Sequence, residues 1–164
     1  MGMIGYYFRT TEDNISKIQN GSLTVMDLIY TEKNTGYLLD IDTVWHAIHF
    51  TLTGTSDKGD ENNIFSKLVL CINPVNGEDM GYGPAMLITA NEVKHLSEAL
   101  NLLNETELRM NFSIPAMQES DIYLCSIDVE DNDFFDYIWS SLIKIKNFFN
   151  QAASEQQCIL FYIQ

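Results

Sequence analysis

The sequence predicts an α+β fold, in which a small sheet of N-terminal, middle and C-terminal strands is covered by several helices. Residues 3–8 and Cys158–Ile163 are short aromatic or aliphatic segments typical of strands. Between them, apolar residues recur mainly at spacings of three and four, which indicates helices packed through one face. The chain has 164 residues, 46% of them hydrophobic, so one domain over 1–164 can bury a sizeable core without disulfides.

Two short helices follow the first predicted strand. Thr10 or Thr11 caps the first, which ends near the Asn-Gly pair at 20–21. The second begins at Ser22, and its buried face is predicted from residues at helical spacing: Leu23, Met26 and Ile29 or Tyr30. Residues 34–36 (Asn-Thr-Gly) then predict a turn.

The stretch 38–54 contains a predicted helix start and the helix on which the functional interpretation depends. Asp40 or Asp42 can cap it, because a carboxylate there accepts backbone N–H groups and complements the helix dipole. Gly54 is predicted to end the helix, and the polar segment 55–63 predicts a mobile surface loop. Four apolar residues fall on one side of this helix and are expected in the core: Ile41, Trp45, Ile48 and Leu52.

The middle of the chain alternates apolar segments with turn signals. Residues 64–72 fit a buried helix or a buried strand, 73–84 predict a break and a tight loop, and 85–88 predict a short strand. Thr89 and Glu92 have capping-box spacing. The helix that they begin carries apolar residues on one face: Val93, Leu96, Leu100 and Leu103.

The last third of the chain predicts its longest helix. Residues 105–110 suggest a short helix, whereas 111–128 show no clear periodicity, and 122–125 fit either a strand or a helix start. An acidic stretch from Asp128 then leads into apolar residues at helical spacing: Phe134, Ile138, Leu142, Ile145 and Phe149. The final strand is apolar enough to be central in the sheet.

The charge of the chain limits its partners. Twenty-three acidic residues against nine basic ones give a net charge of −14. This balance disfavours nucleic acid, whose phosphates require clustered lysine and arginine, and it disfavours anionic membranes. It would instead steer a basic protein partner toward the surface.

The cysteines and the N-terminus indicate a cytoplasmic protein. Cys71, Cys125 and Cys158 are widely spaced, so the sequence has no CxxC motif for zinc or thiol exchange. Their odd number fits a reducing compartment. The first residues lack the basic segment and the apolar length of a signal peptide, and no apolar run reaches the roughly 18 residues of a membrane span.

One edge of the helix predicted at 38–54 carries a compact set of titratable groups. Asp42, His46, His49 and Thr53 are spaced i, i+4, i+7 and i+11, which places them within about 60° of one another on an ideal helix. One carboxylate and two imidazoles could bind a divalent metal, or the carboxylate could orient an imidazole for general-base catalysis. The structural alternative makes Asp42 an N-cap and the histidines boundary residues bonded to backbone. Asp40 could add a ligand or only cap.

Other motifs are weaker. The glycine-rich loop 77–84 lacks the lysine and the spacing of a phosphate-binding loop, and Glu78 and Asp79 would repel phosphate. Glycines that permit positive φ beside a packed Tyr82 are the simpler interpretation. Neither a nucleophile elbow nor an EF-hand is present, and we expect no cofactor.

Three stretches together resemble a known family: residues 1–6 (MGMIGY), 39–54 with its Trp-His-x-x-His-Phe block, and 81–85 (GYGPA). They are similar to the YfbM-like family of small bacterial proteins of unknown function, and the resemblance covers nearly the whole chain. It implies a single-domain α+β fold and supplies no catalytic residues. The family often has arginine where this chain has Met86, and Tyr-Pro where it has Tyr123-Leu124. This departure weakens the case for enzyme chemistry.

The charge and the lack of a convincing catalytic set favour a non-enzymatic interaction module that binds a basic protein, for example an immunity or inhibitor protein. The alternative is a metal-dependent or small-molecule-processing enzyme that uses Asp42, His46 and His49 beside Tyr82; a third interpretation is an oligomeric structural protein. The candidate site consists of five residues: Asp40, Asp42, His46, His49 and Tyr82. Of these, Asp42, His46 and His49 are the candidate metal ligands.

Overall fold

Helices cover both faces of an antiparallel sheet in the computed structural model, which describes residues 2–32, 36–123, 125 and 130–164. The strands are β1 (Gly5–Thr10), β2 (Leu38–Asp40), β3 (Pro74–Asp79), β4 (Pro84–Ile88) and β5 (Cys158–Ile163). Their order across the sheet is β2-β1-β5-β4-β3, and each neighbouring pair is antiparallel. The predicted α+β class and the central position of the C-terminal strand are confirmed.

The helices are α1 (Glu12–Gln19), α2 (Val25–Glu32), α3 (Trp45–Thr53), α4 (Ala90–Asn101), α5 (Glu105–Asn111), α6 (Ile114–Glu119) and α7 (Asp131–Ser154). Short 3₁₀ helices cover Asp42–Val44 and Ile64–Lys67. Thr11 caps α1, and Thr89 and Glu92 form the predicted capping box of α4. Gly54 ends α3 with a φ of 73°, as the sequence predicts.

The alternation of side chains along β5 divides the core into two layers. Ile159 and Phe161 pack with α3, α4 and α7, whereas Leu160 and Tyr162 pack on the opposite face with α1 and α2. The long helix α7 contributes much of the first layer, including the fully buried Phe135 and Phe149 on its inner face. The sheet and α7 therefore fix the positions of the polar residues discussed below.

Two strands of the sheet differ from the prediction. Residues 74–79, predicted as a break and a loop, form β3, which is an edge strand and so tolerates the missing N–H of Pro74. The other edge strand, β2, has three residues and was predicted as the approach to a helix. Both strands are recognisable only through their pairing partners, since neither has a clear apolar alternation.

Several helical segments also differ. The helix α2 begins at Val25, and it buries Leu28 and Ile29 while Met26 and Tyr30 are 45% and 76% exposed. Residues 64–72 form only a 3₁₀ turn and irregular backbone, and α6, which the sequence did not reveal, is capped by Ser113. The predictions that fall on Asn34, Thr35, Leu124 and Asp128 lie outside the described residues.

Within the described ranges, no helix combines the length and the apolar character needed to cross a bilayer. Cys71, Cys125 and Cys158 are all free thiols.

Candidate functional site

Asp40 and Asp42 lie where the chain leaves the edge strand β2. Asp42 has a φ of 52°, in the left-handed region that few residues other than glycine adopt. The carboxylate of Asp40 accepts a hydrogen bond from the Asp42 amide at 2.7 Å, and the Asp42 carboxylate accepts one from the Thr43 amide at 2.8 Å. The prediction that either aspartate caps the helix is wrong, because the left-handed residue delays α3 until Trp45.

The second oxygen of Asp42 contacts α7. Tyr137 donates its hydroxyl to Asp42 Oδ2 at 2.8 Å, although its side chain is 36% exposed. Burial and the negative charges of Asp42 and Asp40 raise the pKa of Tyr137 to about 12. Burial, with a further contribution from both aspartates, also raises the pKa of Tyr6 on β1. The two carboxylates therefore create a negative potential felt by two separate phenols.

A cleft of about 260 Å³ opens between these aspartates and α7, and we call it the aspartate cleft. Ser141 is only 4% exposed, yet no group of the described residues forms a hydrogen bond with its hydroxyl. The ion pairs within the described ranges involve neither aspartate nor Lys144. The residues that line the cleft are Asp40, Ile41, Asp42, Tyr137, Ser141 and Lys144.

The His46 side chain on α3 forms hydrogen bonds with two other segments of the chain, at Ser56 and at Tyr123. Its Nε2 lies 2.9 Å from the carbonyl oxygen of Ser56, and its Nδ1 accepts a hydrogen bond from the Tyr123 amide at 3.0 Å. These partners require the neutral tautomer with hydrogen on Nε2, because a carbonyl accepts and an amide donates. The ring also stacks on Trp45, with centroids 5.0 Å apart. Both ring nitrogens are therefore occupied.

His49 is completely buried one turn further along α3. Its Nε2 bonds the carbonyl oxygen of Asp57, while Nδ1 has no partner among the described residues. Burial is the main reason that the pKa of His49 is lowered. His46 and His49 together fix the start of the 55–63 loop to the helix, and we call this pair the histidine clamp.

The structure does not bring Asp42 onto one helical edge with the histidines, since Asp42 precedes α3 and points to α7. No three His, Cys, Asp or Glu side chains within the described portion are grouped in a way that could hold a metal ion. Asp40 and Asp42 belong to the cleft, whereas His46 and His49 belong to the clamp.

Tyr82 lies apart from both groups. It is 56% exposed in the turn between β3 and β4, and its amide donates to the carbonyl of Ile163 at 3.2 Å. The strands β4 and β2 are three steps apart in the sheet, roughly 14 Å at the usual strand spacing. The glycines beside Tyr82 serve the turn, since Gly81 and Gly83 have φ values of 126° and 102°.

A larger cavity of about 440 Å³ lies between the 58–73 segment and the start of α4. Its lining includes Lys67 and Glu92, which form an ion pair at 2.8 Å. Burial raises the pKa of the Cys71 thiol in this wall to about 12, so the thiol is protonated at neutral pH and is a poor nucleophile. Lys67 is thus paired with Glu92 and the Cys71 thiol is protonated, whereas Lys58 and Glu61, which also line the cavity, form no ion pair with a described residue.

Sequence reasoning missed Tyr137, Ser141 and Lys144. They are spaced i, i+4 and i+7 on α7 and so share one side of the helix, but α7 has many other polar residues, and nothing in the sequence sets these three apart. The two family positions noted above have structural roles. Tyr123 accepts a hydrogen bond from the Met3 amide at 2.8 Å and stacks near Trp45, whereas Met86 lies in β4 opposite Phe161.

Comparison with known proteins identifies relatives of unknown function. A family model described as "Domain of unknown function (DUF1877)" matches residues 1–162. Protein YfbM of Escherichia coli (strain K12) is 34% identical over 126 residues, which cover 75% of this chain and 74% of that protein. The crystal structure of YfbM, a protein of unknown function from Escherichia coli, matches with a TM-score of 0.78 and 26% identity, covering 99% of this chain and 100% of the other.

Proposed function

The chain belongs to the DUF1877 family of domains of unknown function, and we propose that it is a non-enzymatic, single-domain interaction module whose acidic surface binds a basic protein partner. An immunity or inhibitor protein directed against a basic toxin is one concrete case. A cytoplasmic location remains part of this proposal.

The observation that carries the proposal is the uneven distribution of charge. Residues 105–136 contain nine acidic residues and one basic residue, a local charge of −8 out of −14. The eight acidic residues described there are all exposed: Glu105, Glu107, Glu119, Asp121, Glu130, Asp131, Asp133 and Asp136. Such a surface attracts cationic proteins over distances of about a Debye length.

The acidic residues of α5 and α7 share one surface because the two helices are packed together. The Phe112 ring lies 6.2 Å and 5.4 Å from the rings of Phe134 and Phe135. The one cation, Arg109, is held against α7, with its guanidinium 4.5 Å from the Phe135 ring centre and 3.8 Å from Asp136. We call the exposed carboxylates of α5 and the first two turns of α7 the acidic end.

The non-enzymatic part of the proposal is supported by the state of the candidate catalytic groups. Both nitrogens of His46 and one nitrogen of His49 bond backbone atoms, and the Cys71 thiol is protonated. No observation within the described residues favours the alternative of a metal-dependent or small-molecule-processing enzyme.

The experiment compares two variants of equal net charge. One neutralises the acidic end (Glu105→Gln, Glu107→Gln, Asp131→Asn, Asp133→Asn), and its control neutralises four exposed carboxylates elsewhere (Glu12→Gln, Asp13→Asn, Asp27→Asn, Glu98→Gln). Basic proteins retained by the immobilised chain are identified, and the affinity of the best one is measured at low and high salt. We expect salt-sensitive binding that only the first variant weakens, by about tenfold or more.

Two outcomes would count against the module. One is that no basic protein is retained specifically; the other is that binding does not respond to salt. Melting temperatures of both variants, matched to that of the parent chain, exclude unfolding as the cause of any loss.

A further inference from the structure

The aspartate cleft has unused hydrogen-bond acceptors. An ionised carboxylate has about four lone-pair positions. In the described residues, Asp40 accepts one hydrogen bond, from the Asp42 amide, and Asp42 accepts two, from the Thr43 amide and the Tyr137 hydroxyl. Neither is within 4.0 Å of a cationic group of the described residues. Two adjacent carboxylates with this capacity favour a ligand that is cationic and rich in donors.

Ser141 gives an independent indication of a ligand. Its side chain lines the cleft, is 4% exposed and has no hydrogen-bond partner in the described part of the chain. The polar atoms that are both sealed from solvent and unpartnered among the described residues are Arg9 Nε and His49 Nδ1, so the Ser141 hydroxyl is instead open to the cleft. Its hydroxyl oxygen can accept an N–H from the same ligand that the aspartates bind.

The shape and composition of the cleft favour a guanidinium group. Guanidinium is planar, carries five N–H donors and matches carboxylates in a bidentate arrangement, whereas ammonium has three donors around one point charge. The volume of about 260 Å³ admits an arginine side chain, and the partly exposed ring of Tyr137 forms one wall, on which a guanidinium can stack. A divalent metal ion fits less well, since no group of three potential ligands is present in the described residues.

The cleft also continues the acidic end. Tyr137 follows Asp133 by four residues on α7, so the two lie one above the other on the same face of the helix. Asp42 and Lys144 are exposed, and a side chain of another protein can therefore reach the cleft from solvent. A basic partner attracted to the acidic end would bring its side chains to this opening.

We propose that the aspartate cleft is a receptor for the guanidinium group of an arginine side chain on the basic partner, bound by Asp40 and Asp42 with Ser141 as an additional acceptor. The inference rests on the proposed function for the identity of the partner. The binding chemistry of the cleft can nevertheless be tested alone, with a small probe.

The probe is N-acetyl-arginine amide, and its neutral isostere N-acetyl-citrulline amide is the control. Amide chemical shifts of the labelled full chain are followed during titration. We expect arginine amide to shift the signals of residues around 40–43 and 137–144, with an affinity at least about tenfold above that of the citrulline compound. Asp42→Asn should weaken arginine binding about tenfold, and Asp27→Asn, an exposed carboxylate on the opposite face of the sheet, should not.

Lys144 allows a test in the opposite direction. Among the described residues it is the one cation that lines the cleft, so Lys144→Gln should strengthen arginine binding about twofold to threefold by removing a like charge. Lys146→Gln, which makes the same change two residues further along α7, should have no effect. Ser141→Ala should weaken binding without lowering the melting temperature, which a purely structural serine would not do.

Failure of this inference and failure of the proposed function have different signatures. If arginine amide does not bind, or if Lys144→Gln weakens its binding, the cleft is not a guanidinium receptor, even when the acidic end retains a basic protein. If the probe binds the cleft but no basic protein is retained, the guanidinium-binding chemistry of the cleft is supported and the proposed function is overturned.

Discussion

The aspartate cleft and the histidine clamp both use residues of the segment 40–57, and they use polar side chains in opposite ways. His46 and His49 are buried or half-buried, and they bond the loop carbonyls of Ser56 and Asp57. Asp40 and Asp42 are exposed, form no ion pair with a described residue, and line the open cleft. The ring nitrogens of the clamp that form hydrogen bonds bind backbone atoms of the protein. The carboxylates of the cleft have acceptor positions left that a ligand can use.

This difference shows that a residue type is a poor guide to function without its partners. Histidine pairs are commonly considered first as metal ligands or bases, yet here their geometry is that of structural groups. Similarly, Lys67 of the larger cavity is paired with Glu92 and the Cys71 thiol there is protonated, whereas the charged residues of the smaller cleft form no ion pair with a described residue. Hydrogen-bond acceptors without a partner, rather than the size of the cavity, make the aspartate cleft the better candidate for a binding site.

The strongest test of the contrast is the removal of each side chain in turn. His49→Ala should lower the free energy of unfolding by about 2–4 kcal/mol, because it leaves a cavity and an unpaired loop carbonyl. Asp42→Asn should lower it by less than about 1 kcal/mol, since the site is exposed. Urea unfolding measures both, with the exposed His95→Ala as control. Equal losses at the two positions would remove the distinction between clamp and cleft.

A smaller effect is expected from pH, and it concerns the clamp alone. Burial holds the pKa of His49 below its unfolded value, which is about 6.5. Between the two pKa values the unfolded chain binds a proton that the folded chain does not, so stability is complete above about pH 6.5 and is lost as pH falls below it. Unfolding midpoints at pH 7.5 and 5.5 should therefore differ more for the parent chain than for His49→Gln. An unchanged difference in that variant, or the same reduction in His95→Gln, would contradict the role of His49.

The smallest effect concerns the backbone of the cleft. Asp42→Ala and Asp42→Gly remove the same carboxylate, but only glycine accepts a φ of 52° without strain. Alanine should consequently be less stable than glycine by about 1 kcal/mol, as thermal or urea unfolding can measure. If glycine were the less stable variant, the left-handed conformation would not be a constraint on this position.

Much of the fold could be predicted because its signals are local. The capping box at Thr89 and Glu92, the C-terminal glycine at Gly54 and the apolar β5 each depend on a few neighbouring residues. By contrast, β2 and β3 are defined by hydrogen bonds to strands distant in sequence, and local pattern does not reveal such pairing. The left-handed conformation of Asp42 could not be predicted either. Because of it, Asp42 lies outside α3 and does not share a helical face with His46 and His49.

The candidate site was predicted only in part for the same reason. The sequence singles out Asp40 and Asp42, but Tyr137, which bonds Asp42, and Ser141, which lines the same cleft, lie about a hundred residues away on α7. The partners of His46 and His49 are backbone carbonyls, which no sequence motif encodes. The sequence shows which side chains can titrate or form hydrogen bonds. It does not show which partners those side chains bind in the folded protein.

The central position of β5 has a consequence for the order in which the protein can fold during synthesis. In the sheet, β5 lies between the pair β2-β1 and the pair β4-β3, and it follows all four of these strands in the sequence. Chains emerge from the ribosome N-terminus first, so β1 and β4 must wait with open, apolar edges until residues 158–163 arrive. Such edges can pair with other chains, and both are covered once β5 has paired with β1 and β4.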